Sequence, residues 1–156
     1  MIVQLNQCEQ QMAIFLALSR FANARKRGKP NERIGCQSDW MTDLEGIGGE
    51  IAACKVFGVY PDTETELDVL PDYDLITKRG SKVDVKTTKY DNGMLLATKK
   101  KANSDVDIYV LMTGSFPTYE ARGWATAEEL FSEDNIVNLG HGEGYGLDQS
   151  KLSKFK

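Results

Sequence analysis

Three carboxylates and one ammonium lie close together in the middle of the chain. Glu50 stands in Gly-Glu-Ile-Ala-Ala (49–53), Asp74 in Pro-Asp-Tyr-Asp-Leu (71–75), and Asp84 with Lys86 in Lys-Val-Asp-Val-Lys-Thr-Thr (82–88). A Mg²⁺ ion takes hard oxygen ligands from one or two carboxylates and shares its other positions with water and phosphate oxygens, so acids converging from separate elements would hold it. On a strand, residues two apart share a face. Lys86 therefore stands beside Asp84, where an ammonium can orient a water or offset phosphate charge. The types and their order fit metal-dependent cleavage of a phosphodiester.

These side chains need a helix and a strand pair to position them. A periodic segment over 5–27, with Met12, Phe15, Leu16, Ser19 and Ala22 or Asn23 near one face, predicts a helix that stops at Gly28 and Pro30. The polar stretch 29–41 predicts a loop. Thr42-Asp43-Leu44-Glu45 has the form of a capping box and predicts a second helix running to Phe57, with Gly58 as its stop. On that helix Leu44, Ile47, Ile51, Cys54 and Phe57 form an apolar arc, and Glu50 falls inside it. Such a carboxylate needs a partner: a salt bridge, a boundary position reaching water, or a metal. Gly46, Gly48 and Gly49 weaken the helix by about 1 kcal/mol each relative to alanine, which points to close approach of a backbone or ligand.

Five strands follow, at Tyr73–Thr77, Lys82–Lys89, Met94–Thr98, Ile108–Thr113 and Tyr119–Ala125. Turn signals at 78–81 and at Asp91-Asn92-Gly93 predict that the first three form an antiparallel meander. In 82–88, Val83, Val85 and Thr87 alternate with Lys82, Asp84, Lys86 and Thr88, which puts the second set on a polar face. The apolar run 107–112 suits a central strand. Thr126-Ala127-Glu128-Glu129 is a second capping box, opening a short helix. Residues 137–156 are rich in glycine and polar side chains and predict a loop or packed tail. His141, the one histidine, is expected at the surface, and its being alone excludes sites built from several histidines.

At 156 residues and 41% hydrophobic content, the expectation is one domain, with a core over 43–131, able to bury a sizeable interior. No apolar run has the length of a membrane span, and the start lacks a secretory pattern. Cys8, Cys36 and Cys54 form no CxxC pair, so reduced thiols in a cytoplasm are expected. The net charge of −4 is unevenly spread: Lys78, Arg79, Lys82, Lys86, Lys89, Lys99, Lys100 and Lys101 face only Asp84 and Asp91 within 78–101. A second basic cluster holds Arg20, Arg25, Lys26, Arg27, Lys29 and Arg33 against Glu32. Basic segments beside an acidic remainder suit a phosphate-tracking surface, or else are solvated faces.

Glu50, Asp74, Asp84 and Lys86 together resemble the signature of the PD-(D/E)xK nuclease superfamily, over about residues 43–125. Asp72 competes with Asp74 for the first strand acid. The Gly-Glu-Ile-Ala helix and the Tyr-x-x-x-Gly-Trp-Ala strand at Tyr119–Ala125 resemble small phage-encoded members more particularly. The resemblance implies an α/β (α+β) fold with a central mixed sheet of about five strands flanked by helices, a restriction-endonuclease-like core. It implies Mg²⁺-dependent hydrolysis of DNA, with Mn²⁺ as a substitute. Asp74 and Asp84 would bind the metal with the Val85 carbonyl, and Glu50 would do so directly or through water. Lys86 would position the attacking water, and Thr88 would support the site from behind. Lys78, Arg79, Lys82, Lys89, Lys99, Lys100, Lys101, Arg25 and Arg27 would follow the DNA backbone. A homodimer is an open expectation, as are an inactive DNA-binding protein and a phage protein-interaction module.

Overall fold

The computed structural model describes residues 1–26, 39–65, 71–140 and 142–155. Alternation along the apolar run 108–115 sets the architecture. Strand β5 (Ile108–Ser115) sends Val110 and Met112 into one hydrophobic cluster and Tyr109 and Leu111 into another, so both of its faces are covered. A strand buried on both faces belongs in the middle of a sheet. The other strands of this sheet are β1 (Ile2–Gln4), β2 (Leu75–Ile76), β3 (Lys82–Thr88) and β6 (Thr118–Thr126). They run in the order β1-β6-β5-β3-β2. Only β3 and β5 are parallel, which makes the sheet mixed.

Helices α1 (Gln7–Lys26) and α2 (Asp39–Phe57) cover one face of this sheet. The other face is covered by α3 (Ala127–Leu130) and a second, antiparallel sheet. That sheet contains β4 (Leu95–Thr98), β7 (Ile136–Asn138) and β8 (Glu143–Leu147), ordered β4-β8-β7. The result is a mixed sheet flanked by helices, with a small sheet on its far side. No helix among the described residues is long and apolar enough to cross a membrane.

The turn signal at 78–81 does close a hairpin. Thr77 and Ser81 are joined by a backbone hydrogen bond of 2.9 Å, and Gly80 takes the positive φ of 88° that the turn requires. The expected meander, however, stops after two strands. Strand β4 leaves for the second sheet, and β3 takes β5 as its second neighbour, because the longer apolar β5 buries more surface there than the four-residue β4 would. On the face of β3 expected to be polar, Asp84 is buried while Lys82, Lys86 and Thr88 are half-buried.

Helix α2 ends as expected at Gly58 (φ 62°). The Val59 N–H donates to the Cys54 carbonyl and the Gly58 N–H to that of Lys55, the paired bonds of a Schellman cap. Its start differs from expectation: the helix begins at Asp39 and Thr42 lies inside it, an extension that brings Trp40 against the core. In α1 the buried residues are Ala13, Leu16 and Ala17; of the expected face Leu16 is buried and Met12, Ser19 and Asn23 are half-buried, while Phe15 and Ala22 are exposed, so the face is shifted toward Ala13 and Ala17. The segment 12–18 is apolar all round, and periodicity alone does not orient such a helix. The Thr126 capping box forms as expected.

The segment expected as a loop or packed tail from residue 137 onward contains strand β8 and most of β7, and its end packs back on β6 through Ser153. Gly144 and Gly146 there permit close packing. A Cβ on Gly144 would lie 2.6 Å from the Ala97 carbonyl, and one on Gly146 would lie 2.9 Å from Val137 Cγ2. His141, Cys36, Arg27, Lys29 and Arg33 lie outside the described residues, as do the side chains of Arg25 and Lys26.

Candidate functional site

Strand β3 is the spine of the site. Its alternation sends Val83 and Val85 toward α2 and turns Asp84 to the side of Tyr109, its register partner on β5. Asp84 is 2% exposed. One of its carboxylate oxygens, Oδ1, accepts a 2.7 Å hydrogen bond from Lys101 Nζ, while Lys86 Nζ forms an ion pair with Oδ2. That second oxygen is buried and accepts no well-directed hydrogen bond.

Asp74 immediately precedes β2. Its N–H donates to the Val83 carbonyl at 2.8 Å, and its Oδ2 accepts from the Val85 N–H at 2.6 Å, so the carboxyl is tied to β3 one residue from Asp84. Burial pushes the Asp74 carboxyl well above the ordinary aspartate range. The charges of Glu50 and Asp84 push it further, against the opposing pull of the Val85 N–H and Lys86. These are the marks of carboxylates gathered in one place. Asp72, the competing acid, is exposed and contributes only its main-chain carbonyl, which accepts from Lys101 at 2.9 Å.

Glu50 reaches this group from α2. Its positive partner is Arg20 of α1, whose Nη1 stands 3.1 Å from Glu50 Oε2. The helix is held close to the sheet by two of its glycines: a Cβ at Gly49 would overlap Thr87 of β3, and one at Gly48 would overlap the Tyr119 hydroxyl. Gly46 has nothing within 4 Å of its missing Cβ, so it makes no such approach.

The remaining expected residues are scattered. Thr88 is the last residue of β3, and its Oγ1 accepts from the Tyr90 N–H at 3.4 Å in the turn that follows. Val85 is buried, and its N–H is the donor to Asp74. Lys78 and Arg79 are exposed on the β2–β3 turn. Lys82 is paired with Asp105, Lys89 lies over the Tyr90 ring, and Lys99 is paired with Glu143 at 2.5 Å. Lys100 is exposed. Lys101, expected on the DNA-facing surface, turns inward to Asp84. Burial pulls its pKa down, but the Asp84 carboxylate more than offsets this and holds it above the usual lysine value.

Lys101 and Arg20 are the two site cations that sequence reasoning did not place. Nothing distinguishes Lys101 from Lys99 and Lys100 except its position in the 3-10 turn Lys99–Asn103. Arg20 follows the buried Leu16 and Ala17 at helical spacing, but that face of the first helix is known only from its packing.

Among the described residues no three His, Cys, Asp or Glu side chains already form a metal-holding group. The donor chemistry nevertheless fits a hard divalent cation. Every candidate ligand is an oxygen, from the carboxylates and the Val85 carbonyl, and Asp84 keeps a buried oxygen without a hydrogen bond. No protein-family model, curated protein or solved structure matches this chain.

Proposed function

We propose that this chain is a metal-dependent nuclease that hydrolyses DNA phosphodiester bonds, a member of the PD-(D/E)xK superfamily of the small phage-encoded type. The observation that carries the reading is Asp84: a buried carboxylate between two lysines, beside an Asp74 whose proton affinity is raised by burial and then by the charges of Glu50 and Asp84. Like charges held together out of water weaken a fold, and such arrangements concentrate at functional sites.

Asp74, Asp84 and Glu50 would hold Mg²⁺ or Mn²⁺, with the Val85 carbonyl as a further candidate ligand. When bound, the ion supplies a lowered water pKa and neutralises phosphate oxygens. The protein's own part is positional. The Val85 N–H fixes the Asp74 carboxyl against β3, and Gly48 and Gly49 let α2 bring Glu50 close. Lys86, partly exposed beside Asp84, presents an ammonium where charge builds on the phosphate. Lys78 and Arg79 lie on the surface that DNA would follow. The compartment proposed is the cytoplasm, where free thiols such as Cys8 and Cys54 persist.

The test is cleavage of plasmid and branched DNA with Mg²⁺ or Mn²⁺ by wild type, Asp84→Asn and Lys86→Ala, with urea unfolding of each in parallel. Wild type is expected to cut, and each variant to lose at least about a hundredfold, the scale of removing one group that stabilises transition-state charge. Absence of cutting by wild type with every metal tested would refute the enzymatic reading. A second reading, an inactive DNA-binding protein of the same fold, is favoured by one observation: Lys101, Lys86 and Arg20 already neutralise the acids without a metal. It predicts DNA binding that divalent ions do not change.

A further inference from the structure

An open groove of about 380 Å³ lies at the end of the sheet where β2 turns into β3. Its walls are aromatic: Phe57 from the end of α2, Trp124 from β6 and Phe155 from the C-terminal segment. Trp124 belongs to the Gly-Trp-Ala motif that the proposed chemistry leaves unused. Its backbone exchanges two 2.9 Å hydrogen bonds with Ser153, which seats Phe155 two residues further on at the groove. Phe155 meets Phe57 edge to face, with ring centroids 5.8 Å apart at 82°. Gly123 allows the segment to come this near, since a Cβ there would lie 2.7 Å from the Ser153 carbonyl oxygen. The walls are thus held in place by the fold.

The rim is cationic. Lys78 and Arg79 are both exposed, and neither makes an ion pair among the described residues, whereas Lys82, Lys99 and Lys101 are all paired with acids. Aromatic rings beside unpaired cations match one ligand chemistry closely: a flat base to stack and a phosphate to neutralise. A purely apolar peptide would leave the two cations without use. From Ser81 at the rim to Asp84 is three residues along one chain, roughly 10 Å at a strand's rise of about 3.3 Å per residue.

We infer that this groove binds an unpaired nucleotide, with its base among Phe57, Trp124 and Phe155 and its phosphate on Lys78 and Arg79. The substrate class of the proposed nuclease is then DNA with a single-stranded portion, an end, flap or branch. This inference rests on the nuclease reading for its biological setting, but the binding itself needs no metal.

The experiment follows Trp124 fluorescence in a Trp40→Phe background, where it is the only tryptophan. In EDTA, a thymidine decamer is titrated against an abasic decamer with the same number of phosphates. Saturable quenching is expected, with the abasic strand at least about fivefold weaker, the lower end of what one stacked base contributes. Lys78→Gln with Arg79→Gln, both exposed and harmless to folding, should weaken the thymidine decamer about tenfold and flatten its salt dependence. A uridine decamer tells whether RNA competes as the source of the nucleotide, and tighter binding of the deoxy strand is the expected result.

Equal affinity for the abasic strand, or binding indifferent to the double substitution, would overturn the inference. Quenching that rises with protein concentration alone would assign the groove to a second copy and also overturn it. Because no metal is present, loss of cleavage leaves this result standing. A protein that cuts DNA yet shows no quenching sinks the groove and spares the nuclease.

Discussion

Replacing each glycine of α2 by alanine separates helix propensity from close packing at the element that carries Glu50. The chemical change is the same at 46, 48 and 49, and alanine gains about 1 kcal/mol over glycine in a helix interior. At Gly46 nothing lies within 4 Å of the added Cβ, so Gly46→Ala should stabilise by close to that full amount. At Gly49 the new carbon would overlap Thr87 Oγ1 and come within 3.0 Å of its Cβ. Thr87 is held in register with Met112 of β5, so its backbone cannot retreat cheaply. Overpacking of this kind costs about 1 to 3 kcal/mol, so Gly49→Ala should fall at net zero to about 2 kcal/mol less stable than wild type. Gly48→Ala meets the Tyr119 ring, with Cζ at 2.9 Å, and threatens the hydroxyl's bonds to Glu45. It should be worse by the roughly 1 kcal/mol of a hydrogen bond. Urea unfolding of the three variants gives the order directly, and in a chain of this size each kcal/mol moves the melting temperature by about 2 to 4 °C. Three variants of equal stability would show that α2 does not lie as close to β3 and β6 as argued, and the placement of Glu50 beside Asp74 would fail with it.

Lys101→Met leaves Asp84 with Lys86 alone and should destabilise the metal-free protein by about 1 to 3 kcal/mol, while Lys99→Gln, at an exposed pair, should change stability by less than about 1 kcal/mol. Added Mn²⁺ should recover part of the Lys101→Met loss, and equal effects of the two substitutions in denaturation would contradict the inward placement of Lys101. Burial, reinforced by the charges of Glu50, Asp74 and Asp62, pushes the Cys54 thiol up to about 12, so at pH 8 a disulfide reagent should label exposed Cys8 at once and Cys54 only on unfolding. Because the folded value lies above the unfolded one of about 8.5, the stability linked to Cys54 is present below that pH and is lost as pH rises toward 12. Cys54→Ala should therefore flatten the decline in unfolding free energy above pH 8.5, and a variant that declines as steeply as wild type would assign the loss to other groups.

Local signals in the sequence determined the helices, strands β2 to β6 and the shared face of Asp84 and Lys86, but not β1, β7 or β8. Period-two alternation in 82–88 placed Asp84 and Lys86 on one face, because side chains of a strand alternate whatever lies beside it. Gly58 ended α2 and Thr126 capped α3, because caps are made by residues a few positions apart. The existence of strands β2 to β6 followed in the same way. What these signals do not carry is the choice of neighbour. Strand β3 had two candidates for its free edge, and the selection of β5 over β4 depended on which pairing buried more apolar surface in the whole molecule. That choice covered the Asp84 face, brought Lys101 onto the carboxylate, and turned the glycine-rich C-terminal segment into strands packed against β4. Arg20 likewise met Glu50 only once α1, apolar all round over 12–18, had been oriented by packing against α2. Periodicity and capping depend on residues within a turn or two of each other, whereas edges, faces and ion pairs are settled by competition among segments far apart in the chain.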